Sequence, residues 1–142
     1  MKKITKIVSA AIMAGTVFIG QSAVAAPVRY DCTFNNSERS RGWIPAQLFV
    51  TVDEDAGRVS AQASSFLDTS YEEVAGRLQT NSRRITATFQ NEDETTSTGR
   101  KIYVRYNFRM KRSDLSSSLN VIVNRHGQQE RSNGRCVLAT KG

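Results

Sequence analysis

Apolar and polar residues alternate through most of the chain after residue 27. Val28, Tyr30, Cys32 and Phe34 fall on one side of the first run, and Leu48, Val50 and Val52 on one side of the next. Successive side chains on a strand point to opposite faces, so this period of two predicts half-buried strands. Asp53-Glu54-Asp55-Ala56-Gly57 interrupts the alternation with a turn cluster whose glycine suits a positive φ, and residues 58–63 resume it. Val74, Gly76 and Leu78 share a face, as do Ile85, Ala87 and Phe89. Residues 91–99 are polar and predict a longer turn. Ile102, Val104, Tyr106, Phe108 and Met110 form the cleanest period-two run, and Leu119, Val121 and Val123 follow it. Arg125-His126-Gly127-Gln128 predicts a turn before a last strand that carries Cys136 and Leu138. The one candidate helical turn lies within residues 65–73.

These runs predict an all-β domain of about eight short antiparallel strands, a small closed barrel or, alternatively, a β-sandwich. Residues 1–25 read differently. Lys2, Lys3 and Lys6 precede an uncharged apolar stretch over residues 7–20, and Ala23-Val24-Ala25 follows as an A-x-A cleavage site. That order predicts a signal peptide cut before Ala26, a single domain over 26–142, and a periplasmic or secreted protein. The apolar stretch is shorter than the roughly 20 residues that span a bilayer, so no stable membrane anchor is expected. An oxidising compartment favours a bridge between Cys32 and Cys136. Such a bridge would hold the first and last strands together, which suits a barrel better than a sandwich.

Composition narrows the chemistry. Two cysteines exclude a four-cysteine zinc site and a disulfide-dense scaffold, and a single histidine excludes a multi-histidine metal centre. Twenty Lys and Arg against thirteen Asp and Glu give +7 over 142 residues. Three of those cations lie before residue 26, which leaves seventeen against thirteen, or +4, on the predicted mature chain. Export turns this mildly basic surface away from nucleic acid and toward an anionic small molecule, glycan, lipid headgroup or acidic protein.

Tyr30-Asp31-Cys32-Thr33-Phe34, Gly42-Trp43-Ile44-Pro45, Asp53 with Gly57, and Gly134-Arg135-Cys136 together resemble a family of small secreted bacterial proteins with no assigned function. The resemblance covers the two ends of the mature domain and implies architecture and export, not an activity. The Tyr30-Asp31-Cys32 opening is also similar to that of periplasmic inhibitors of C-type lysozyme, which are small eight-stranded barrels. Their inhibitory S-G-x-x-Y loop has its nearest counterpart in Thr98-Gly99-Arg100-Lys101-Ile102-Tyr103. There threonine replaces serine and the tyrosine falls one residue late, which reverses its face on a strand.

Few residues invite catalysis. His126 sits in a predicted turn, and neither Ser132 nor Asp114 stands at a spacing that would orient it as a base. The Asp53–Gly57 cluster lacks the EF-hand spacing, since Gly57 occupies the fifth position and Ser64 the twelfth. Asn91-Glu92-Asp93-Glu94 reads as another acidic turn, and adjacent Glu72 and Glu73 would point apart on a strand. No cofactor is expected. The most informative feature is the strand ending at Arg112, whose odd positions carry Lys101, Tyr103, Arg105, Asn107, Arg109 and Lys111. With the even side in the core, the odd side is a basic stripe with arginine forks for anions, and Arg83 and Arg84 belong nearby. Trp43, the only tryptophan, is a candidate barrel plug or pocket residue. The expected function is a non-enzymatic binding protein whose ligand the sequence does not identify; the candidate site is the basic face of Lys101, Arg105, Arg109 and Lys111, either an anion site or a solvated outer face, with Trp43 as a candidate pocket residue. The alternatives are a periplasmic protein inhibitor and, third, a hydrolase.

Overall fold

The computed structural model describes residues 20, 25–35, 43–63, 72–95, 98–99, 101–124 and 128–139, with the backbone alone over 91–95 and 101–102. Most of the predicted signal peptide, residues 65–71 of the candidate helical turn, Gly42, His126 and the side chains of Glu92, Asp93, Glu94 and Lys101 lie outside this description. The strands are β1 (Val28–Phe34), β2 (Gln47–Asp53), β3 (Arg58–Gln62), β4 (Val74–Thr80), β5 (Arg84–Thr95), β6 (Lys101–Lys111), β7 (Ser116–Val123) and β8 (Gln128–Leu138). Each pairs antiparallel with the next, and β8 returns to pair with β1, closing an eight-stranded barrel. The sandwich alternative is therefore set aside.

Closure follows from register. Cys32 stands directly opposite Cys136, with the two Cα atoms 4.0 Å apart, and the two cysteines form a disulfide. The bond ties the first strand to the last and is consistent with an oxidising, extracellular or periplasmic setting. Beside it, Gly134 pairs with Phe34, and a Cβ on this glycine would run into the Thr33 carbonyl and come 2.7 Å from the Phe34 ring. The glycine of Gly134-Arg135-Cys136 thus lets β8 lie against β1.

The alternation places the apolar side chains inside. Tyr106, Phe89, Phe108, Leu48, Ile85, Met110 and Leu119 are all below 2 % exposed. An eight-stranded barrel is just wide enough for side chains to fill, and here they fill it. Each large apolar side chain removed from water contributes about 1.5–3 kcal/mol. Phe89 gains its room from Gly76, where a Cβ would lie 2.5 Å from the Phe89 ring and 2.8 Å from the Thr88 carbonyl oxygen.

Different devices cover the two ends. At one end Ile44 is buried, Trp43 packs half-buried against the core, and the Tyr106 hydroxyl donates to the Trp43 carbonyl at 3.0 Å. At the other, Arg112 in the β6–β7 turn donates both terminal nitrogens to the Glu54 carboxylate at 2.8 Å and its Nε to the Asn81 carbonyl at 2.8 Å. One guanidinium thereby links three turns. Gly57 has the positive φ (63°) that its place in the β2–β3 turn predicts.

One expectation is corrected. Residues 91–95 are not part of a turn: β5 continues to Thr95, pairing Glu94 with Ile102 and Thr95 with Lys101 after a register shift between Asn91 and Glu94. The backbone ladder with β6 supplies the hydrogen bonds there, so polar side chains do not end the strand.

Candidate functional site

With the core on the inside, odd positions of β6 and β8 and even positions of β5 and β7 face outward. Across 84–90, 103–111, 116–122 and 129–135 these outward positions hold Arg84, Arg105, Arg109, Lys111, Arg131 and Arg135 and no carboxylate. Register brings the cations together. Arg84 pairs with Lys111, Thr86 with Arg109, and Gln90 with Arg105. On the far side Ser116 pairs with Arg135, Ser118 with Asn133, and Asn120 with Arg131. Between them, β7 places Ser118 opposite Arg109 and Asn120 opposite Asn107.

This arrangement forms a trough. The outward residues of β7 (Ser116, Ser118, Asn120 and Ile122) are short or half-buried, whereas Arg109, Lys111, Arg131 and Arg135 on the flanking strands stand exposed. A cleft of about 440 Å³ opens here, lined by Arg84, Arg109, Lys111 and Arg131 together with Ser116 and Ser118. Among the described residues these four cations form no ion pair. Arginine side chains so placed offer forked N–H donors to carboxylate, sulfate or phosphate groups.

Neighbouring groups tune the rim. Asp114, in the β6–β7 turn, accepts the Ser116 backbone N–H at 3.0 Å and the Ser116 hydroxyl at 2.8 Å. Those bonds hold its carboxyl below the usual aspartate value, with Lys111 and Arg135 adding to the shift. Asp114 thus offsets part of the charge at that end of the trough. Toward the other end, Arg105 donates to Gln90 at 3.3 Å and lies 5.4 Å from the Tyr103 ring centroid. The Tyr103 hydroxyl donates to the same Gln90 oxygen at 3.1 Å. On the trough floor, Asn120 Oδ1 is shielded from water and has no hydrogen-bond donor.

Of the residues singled out from the sequence, Arg105, Arg109 and Lys111 share this face. Lys101 opens β6 opposite Thr95. Trp43 is not brought to them; it packs against the core. Arg84 joins the face through its pairing with Lys111, while Arg83 sits in the β4–β5 turn, where its carbonyl accepts the Arg112 N–H at 3.0 Å. The sequence reading missed Arg131, Arg135 and the β7 floor. The alternation that puts Cys136 inside would have placed Arg131 and Arg135 outside, but not beside β6. Arg112–Glu54 was missed as well, being separated by 58 residues. Among the described residues no group of three or more His, Cys, Asp and Glu side chains is placed to hold a metal ion.

No family model matches this chain, no curated protein matches it, and no solved structure matches it.

Proposed function

We propose that the protein is an exported, non-enzymatic binding module that takes an anionic ligand on the outer face of β5–β8. The observation that carries this reading is the set of six outward cations with no carboxylate among the outward positions of 84–90, 103–111, 116–122 and 129–135. A filled interior favours a surface site over a ligand inside the barrel. Adjacent like charges on neighbouring strands are unfavourable, so a face that keeps Arg84 opposite Lys111 is better accounted for by an external partner than by the fold. The Tyr30–Phe34 and Gly134–Cys136 motifs support grouping the chain with the small secreted bacterial proteins it resembles.

The test is binding of chain 26–142 to heparin, used as a generic polyanion, as sodium chloride is raised. Binding is expected at low salt, weakening steeply as screening grows. Arg109→Gln and Arg131→Gln should each weaken it, while Arg58→Gln, which removes a cation already paired with Asp53 at 3.2 Å, should not. Absence of binding at low salt, or equal loss in all three variants, would overturn the proposal.

A further inference from the structure

The trough has a direction, and its direction narrows the ligand. Resting on the anion-binding reading above, we propose that the ligand is a linear anionic glycan lying along β7 between the cations of β6 and β8.

Arg105 stands beside Ile122, Arg131 beside Asn120, Arg109 beside Ser118, and Arg135 beside Ser116, with Lys111 lining the cleft next to Ser116. Going along β7 in steps of two residues, the cation therefore lies on the β6 wall, then the β8 wall, then the β6 wall, then on both. Two residues of strand rise about 6.7 Å, and β6 and β8, each one strand from β7, are about 9.5 Å apart. From Ile122 to Ser116 the outer face of β7 runs about 20 Å on the same geometry, and the cleft occupies its Ser116–Ser118 end. A cation recurs at every step and changes sides. That pattern fits an extended polymer with anionic groups on both of its edges, and it is more than a single small anion can occupy.

The floor selects among polymers. Its side chains are a hydroxyl at Ser118, an amide at Asn120 and one aliphatic group at Ile122, with the amide of Asn133 alongside. A sugar chain presents hydroxyls that pair with such groups. Single-stranded nucleic acid binds through aromatic platforms on which its bases stack, and the outward positions of β7 and β8 carry no aromatic residue. A protein partner relies on buried aromatic or aliphatic anchors, and Ile122 is the one aliphatic residue among the outward positions of 116–122 and 129–135. Asp114 marks one end: with its carboxylate beside Lys111 and Arg135, the least compensated stretch is Arg109–Arg131–Arg105.

The experiment measures affinities of chain 26–142 for heparin oligosaccharides of graded length, a neutral oligosaccharide, oligo-dT and poly-glutamate of matched charge. Heparin fragments should bind more tightly with length until they span about 20 Å, the extent of the outer face of β7, and then level off. Arg109→Gln and Arg131→Gln should each weaken binding about fivefold, the effect of one Lys or Arg facing an anionic surface. Ser118→Phe keeps every charge but fills the floor, and should weaken heparin binding at least as much. Ser118→Gln replaces it if circular dichroism shows the Phe variant unfolded. Unchanged affinity in the floor variant, with weakening in the arginine variants, would mean that polyanions lie across the face; the groove proposal would then fail while the anion-binding reading survives. Oligo-dT or poly-glutamate binding more tightly than heparin would overturn the glycan. No binding by any polyanion at low salt would remove both.

Discussion

The barrel's two halves share one core and differ in length and in how they use charge. In β1–β4 the strands have 7, 7, 5 and 7 residues; in β5–β8 they have 12, 11, 8 and 11. On the outer face of the shorter half, most charges are engaged locally, the exception being Arg77, which stands opposite Arg58. Arg29 lies 4.5 Å from the Phe49 ring centroid and donates to Gln62, Gln47 donates to Asp31 at 2.9 Å, Arg58 pairs with Asp53, and Ser60 donates to Glu73. On the longer half, Arg84, Arg109, Lys111 and Arg131 form no ion pair among the described residues. That half also supplies the largest core side chains, Phe89, Tyr106 and Phe108. Long ladders and aromatic burial give it the stability to offset repulsion at its surface. One half engages most of its polar groups with one another, while the other leaves these four cations without an ion pair among the described residues.

The halves are joined at two seams, and whether they fold as one unit is tested there. The first seam, β1–β8, carries the disulfide with a sequence separation of 104 residues. A loop of that size gives a chain-entropy stabilisation of about 4–5 kcal/mol. Replacing Cys32 and Cys136 together by serine should lower the unfolding free energy by that amount, read as a lower guanidinium midpoint in a single transition. Two transitions would show that the halves are separate folding units. The second seam runs between β4 and β5, where the Phe89 ring sits over Gly76. Gly76→Val overpacks this point and should cost about 2–3 kcal/mol, measured in the same way. A cost near zero would mean that β4 can move away from β5, and that the shorter half holds its outer face less rigidly than the comparison supposes.

How far the sequence revealed this design depends on which axis of the sheet is asked about. Along each strand it was legible: Val104, Tyr106, Phe108 and Met110 alternate with Arg105, Asn107 and Arg109, so inside and outside follow from parity. The disulfide added the one non-local contact, because two cysteines have a single way to pair. Across the strands the sequence said little. That Arg131 lies one strand beyond Ser118 and Asn120, in reach of the Arg109 wall, depends on the β6–β7 and β7–β8 registers. The extension of β5 through Thr95 was hidden for a related reason: polar residues can stay in a strand when a long partner such as β6 continues the ladder. Trp43, read from the sequence as a barrel plug or a pocket residue, packs half-buried against the core, and a lone tryptophan is equally at home over a core and at a ligand.

Arg112 is where the two halves meet through charge, and it gives the smallest and sharpest test. It leaves the basic half by the β6–β7 turn and crosses the barrel end to Glu54 in the β2–β3 turn. Beneath the pair lies Tyr30, whose phenol burial pushes above its usual pKa. The Arg112 hydrogen bonds hold the Glu54 carboxyl below its ordinary value of 4.5, and Glu54 in turn raises the guanidinium. A depressed carboxyl contributes stability that is fully present above its unfolded value and is lost as pH falls through the lowered one. With both side chains partly exposed, at 31% and 44%, the pair is worth about 1 kcal/mol, or about 4 °C in melting temperature for a domain of this size. Glu54→Gln should therefore melt lower than the parent at pH 7, and the gap should close as pH falls below about 4. Because Arg112 is shifted upward, no matching loss is expected on the alkaline side in any usable buffer. A gap that stays constant down to pH 3 would mean that the loss comes from uncharged contacts of the Glu54 side chain, and that its charge does not couple the halves.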